Sequence, residues 1–67
     1  MDEFKVGYTV RHINPNSNYY DKIGSVTRKT PARIGVQFTN DAKDHLFAPD
    51  ALEIISRGGD SQKKIEN

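Results

Sequence analysis

The segment RIGVQFT, residues 33–39, sets Ile34, Val36 and Phe38 against Arg33, Gly35, Gln37 and Thr39 in strict alternation. A period of two places the three apolar side chains on one face of an extended strand. A second alternation runs through Val6, Tyr8 and Val10, with Gly7, Thr9 and Arg11 between them. IGSVTRK (23–29) carries Ile23, Val26 and Thr27, HLF (45–47) is a short strand, and LEII (52–55) is the last. No window offers ten residues of helical periodicity. TPA around Pro31 and NDAKD (40–44) are turn chemistry, because proline removes a donor and Asn and Asp cap their own backbone. APDA (48–51) reads as a single helical turn. Every connection is short except NPNSNYYDK, residues 14–22.

Five short strands so closely joined predict an all-β fold, a single five-stranded SH3-like barrel with a short helical turn before the last strand. Closing the sheet hides strand edges that would otherwise invite pairing with other chains. The expected core is Val6, Tyr8, Val10, Ile23, Val26, Ile34, Val36, Phe38, Leu46, Phe47, Leu52 and Ile54. Residues 1–4 read as a lead-in within the barrel domain, 1–56. Residues 57–67 (RGGDSQKKIEN) read as a flexible, disordered C-terminal tail, with one isolated apolar residue and too little surface to offset ordering entropy.

At 67 residues there is room for one core, and a chain of this size buries only about 60% of its unfolded surface. The sequence has no cysteine, which excludes disulfides, thiolate metal sites and thiol catalysis. The start, MDEFKVG, lacks the apolar run of a signal peptide, and no stretch approaches the ~20 apolar residues of a membrane span. The reading is a cytoplasmic protein without membrane insertion, either a monomer or a subunit of an assembly. Ten Lys and Arg against nine Asp and Glu leave a net charge of +1. That is far from the strongly basic balance of a non-specific nucleic-acid binder, so only a local basic patch supports such a role.

With these strands in place, GYTVRHI followed after a loop by KIGSVTR resembles KOW-type domains, in which a glycine stands two residues before a valine. Gly24 and Val26 occupy that Gly-x-Val, while Asp21 replaces the glycine expected three residues earlier. YYDKIGSV, IGVQF and LFAPDAL together resemble the E-subunit family of photosystem I over roughly residues 5–55. Both resemblances imply a small SH3-like barrel. The first implies attachment to nucleic acid or its processing machinery, the second a protein-docking subunit. With one residue dropped from that family's Pro-x-x-Ala-Leu-Glu, PDALEII is also similar to the closing strand of plasmid-borne type II dihydrofolate reductases, in Pro49, Leu52 and Glu53. The Val-Gln-Ile-Tyr of that family is replaced here by His45, Leu46, Phe47 and Ala48. This last resemblance argues for the barrel and against that enzyme.

His12 and His45 are the acid–base candidates near neutral pH, and Asp41 or Asp44 could orient His45. The DAKDH turn explains the same carboxylates as backbone caps. No serine or threonine stands in a strained nucleophile elbow, and Gly7, Gly24 and Gly35 are spaced for strands rather than as a phosphate cradle. No catalytic, metal or cofactor residue is therefore assigned, and the protein is expected not to be an enzyme.

RKTPAR supplies Arg28, Lys29 and Arg33 across a hairpin tip, and Arg11 and Lys22 flank the long loop. Arginine forks grip phosphate or carboxylate bidentately. Tyr19 and Tyr20 are adjacent, so in an extended chain one packs inward and one faces out. An outward tyrosine can stack on a base or anchor a protein interface. The expected partner-binding residues are Arg11, Tyr19, Tyr20, Lys22, Arg28, Lys29 and Arg33. The expected function is a non-catalytic binding module for nucleic acid or a transcription or translation complex. The alternative is an accessory subunit that docks on an acidic protein partner.

Overall fold

A computed structural model describes residues 3–57 of the chain. Five strands form one antiparallel sheet: β1 Thr9–His12, β2 Ile23–Lys29, β3 Ile34–Phe38, β4 His45–Phe47 and β5 Leu52–Ser56. Their spatial order is β4-β3-β2-β1-β5. The only helical element described is a 3-10 turn, Pro49–Ala51, with proline at its start where a missing N–H costs nothing. The tail reading falls on residues that lie outside those described, apart from Arg57.

The core face follows the period of two. Val10 and His12 of β1, Val26 of β2, Ile34, Val36 and Phe38 of β3 and Leu52 of β5 are all buried. Tyr8, Tyr19, Phe47 and Ile54 pack around them. The sheet curls over this face. The ring of Phe47 in β4 meets His12 in β1 at 4.6 Å, although two strands separate them in the sheet. Among the described residues no ladder joins β4 to β5, which form the two edges.

Three expected core residues lie outside. Val6 is 64% exposed because residues 5–8 turn back on themselves: the amide of Tyr8 donates to Lys5 O at 3.1 Å, and Gly7 has φ +99°. The strand thus begins only at Thr9, after a turn that alternation alone does not disclose. Ile23 is exposed because β2 turns Gly24 and Val26 inward, and a residue three positions from Val26 faces the other way. Leu46 sits opposite Gly35 on the outer face, while His45 and Phe47 point in. In exchange Phe4, read as lead-in, is 5% exposed and belongs to the core.

Gly24 matters to this arrangement through proximity. A Cβ there would stand 2.5 Å from the carbonyl oxygen of Gln37 and 2.9 Å from Phe38 Cα, both backbone atoms of β3. The Gly-x-Val is therefore a close strand approach followed by a core valine.

Candidate functional site

The long loop is built of successive small turns. Asn14 Oδ1 accepts the amide of Asn16 at 2.9 Å, and Ser17 Oγ accepts that of Tyr19 at 3.0 Å. Its ends are tied across β1, with the amide of Asp21 donating to His12 O at 2.7 Å and that of His12 to Lys22 O at 2.9 Å. Asp21 takes φ +70°, a left-handed value that Asp tolerates better than most residues.

This frame sends the two tyrosines to opposite sides. Tyr19 stacks on Phe38 at 5.3 Å and 10°, and meets Phe47 edge-on at 5.3 Å. Its ring is spent on closing the core. Tyr20 is 52% exposed.

The expected cations divide in the same way. Arg11 donates to Glu53 Oε1 at 2.7 Å and lies 3.6 Å from Asp21; the hydrogen bond to Glu53 holds its pKa above the ordinary arginine value. Arg28 Nε donates to Asp44 Oδ2 at 2.9 Å, and that oxygen also accepts the Thr27 hydroxyl at 2.6 Å. The Thr27 and then the Arg28 hydrogen bond hold the Asp44 carboxyl below its usual range. Gly35 makes room for this group, since a Cβ there would lie 2.6 Å from Arg28 Cγ. Among the described residues Lys22, Lys29 and Arg33 enter no ion pair.

Nor do the loop and the hairpin form one compact patch. Lys22 precedes β2 and Lys29 ends it, and seven residues of strand separate them by roughly 20 Å. The loop end carries an open cleft of about 450 Å³, largely polar, between Asp21–Ile23 and Phe38–Asp41. The hairpin end carries a groove of about 350 Å³ among Phe4, Lys29–Ile34 and Pro49. The apolar walls of this groove were not among the expected site residues. Pro31 and Ala32 were legible as a turn, but Phe4 and Pro49 reach it only through the fold.

The two histidines are absorbed by packing. His12 is 2% exposed, its Nδ1 accepts the Asn14 amide at 3.4 Å, and burial holds its pKa below the ordinary histidine value. His45 Nε2 lies 3.1 Å from Asp41 Oδ2, the pairing anticipated for one of two candidate aspartates. Among the described residues no three His, Cys, Asp or Glu side chains gather as a metal set, and no helix is long and apolar enough to cross a membrane. Compared with known proteins, the sequence matches no family model and no curated protein at a significant level.

Proposed function

We propose that this chain is a non-catalytic binding module that docks on a protein partner or larger complex through the β2–β3 hairpin end. The observation that carries this reading is the groove at that end, where Lys29 and Arg33, without an ion pair among the described residues, stand beside apolar walls. Cations flanking apolar surface suit an acidic protein face, where charge steers encounter and apolar contact holds it. The proposal includes an SH3-like barrel, supported by the sheet order and by the curl that brings Phe47 onto His12. It also includes a cytoplasmic setting, supported by the cysteine-free sequence.

A second reading, attachment to nucleic acid, draws on exposed Tyr20 beside Lys22. Its electrostatic basis is thinner than the sequence suggests, because Arg11 and Arg28 already hold carboxylates at 2.7 and 2.9 Å. Of the five expected cations only Lys22, Lys29 and Arg33 stay out of ion pairs among the described residues, and together they would contribute a duplex salt slope of about −2.7, at about −0.9 per phosphate neutralised.

Affinity capture with the whole chain from its source cells separates the two. Docking predicts a stable protein partner that the double variant Lys29→Glu/Arg33→Glu loses and Tyr20→Ala keeps. A partner retained by that double variant, or recovery of nucleic acid in its place, removes the docking reading.

A further inference from the structure

The groove at the hairpin end joins apolar surface to cationic side chains. Its floor is Phe4 and Ile34, each at most 5% exposed, and its walls are exposed Pro31, Ala32 and Pro49. At about 350 Å³ it sits at the lower end of ligand clefts, large enough for a side chain or two. The walls are preset. Two prolines have fixed φ, and the hairpin tip is locked where the Thr30 and Arg33 amides bond Arg33 O and Thr30 Oγ1, both at 2.9 Å. Little ordering entropy is then lost when something binds.

Charge adds the second constraint. Lys29 and Arg33 line the groove without an ion pair among the described residues, and of the lining side chains Glu3 alone is acidic. β2 and β5 run parallel on either side of β1, so Arg57, past the end of β5, lies at the same end of the sheet as Lys29. Arg57 stands 5.5 Å over the Tyr8 ring, outside the residues that line the groove.

We infer that this groove binds an extended acidic peptide segment of a partner protein, seating one apolar side chain between Pro31 and Pro49 with carboxylates on Lys29 and Arg33. A polyphosphate backbone would use the cations and leave the apolar floor idle. The inference deepens the protein-docking reading and rests on it.

The test titrates the isotope-labelled whole chain with the peptide Glu-Glu-Leu-Glu-Glu at low salt, followed by amide chemical shifts. Shifts should concentrate on residues 29–34 and on Phe4. Replacing the peptide's leucine with serine should cost about fivefold or more in affinity. Ala32→Glu should cost at least about tenfold while the remaining amides keep their positions, and Lys29→Glu/Arg33→Glu should abolish binding. No binding, shifts elsewhere, equal affinity for the serine peptide, or the same shifts with an oligothymidylate would each overturn the inference. If the captured partner depends on Lys29 and Arg33 but not on Ala32, docking survives and the peptide groove does not. A partner indifferent to the two cations removes both.

Discussion

Replacing Gly24 with alanine tests whether β2 and β3 approach as closely as described. The new Cβ would stand 2.5 Å from Gln37 O, with Gln37 C and Phe38 Cα both at 2.9 Å. That is about 1 Å inside van der Waals separation. All three atoms are backbone of a buried strand, so none can swing aside, and β3 itself must shift. Overpacking of this kind costs about 1–3 kcal/mol, and stretching one ladder hydrogen bond adds about 1 kcal/mol. The expected loss is therefore about 2–4 kcal/mol. A chain of 67 residues has about 3–10 kcal/mol in total, so much of the margin disappears and Tm falls by roughly 10–25 °C. Circular dichroism during urea and thermal unfolding measures this, with an unchanged urea slope as the sign that only stability moved. Gly35→Ala is the internal control. Its Cβ meets side chains only, Arg28 Cγ at 2.6 Å and Asp44 Oδ2 and Thr27 Oγ1 at 3.1 Å; these can shift without moving β3, forfeiting a surface ion pair worth about 1 kcal/mol or less. If the two variants lose equal stability, or Gly24→Ala loses under about 1 kcal/mol, the close-approach argument fails.

Two further outcomes follow from the long loop and its anchor. Tyr19→Ala, which removes the ring stacked on Phe38 at 5.3 Å, should cost about 2–4 kcal/mol in the same assay. Tyr20→Ala, at a side chain 52% exposed, should stay within about 0.5 kcal/mol; reversed effects would mean the loop is threaded the other way. Burial holds His12 below its ordinary pKa, so the unfolded chain takes up the extra proton as pH drops below about 6.5. Its contribution is full above that pH and declines as pH falls toward the folded value. The urea midpoint should therefore drop between pH 7.5 and 5.5, and His12→Phe should flatten that dependence. Parallel declines in the two proteins would assign the effect elsewhere.

What was legible before the fold was the part governed by local chemistry. Alternation located β3, and Pro31 and NDAKD marked the turns on either side of it. Adjacency suggested that Tyr19 and Tyr20 diverge if extended; they do diverge, but from the turns of the loop rather than from a strand. Alternation failed where a non-local preference won: at Val6, where Gly7 with φ +99° turns the chain before β1 begins, and at Ile23, where Val26 sets the phase of β2. His12 read as a chemical candidate because its type is catalytic elsewhere. Its burial came from Phe47 crossing the curl, which no neighbour in sequence announces.

The sequence by itself determined the number and order of the strands, the turns at Pro31 and NDAKD and the modest net charge, because each depends on residues a few positions apart. Only the tertiary structure decided which charges remain available. Glu53 is 42 positions from Arg11 and Asp44 is 16 from Arg28, yet strand register brings each carboxylate against its arginine. The same register leaves Lys29 and Arg33 unpaired among the described residues and places them beside walls supplied by Phe4 and Pro49. Ion pairing acts over a few ångströms whatever the sequence separation, so which basic residues face outward is settled by the fold alone.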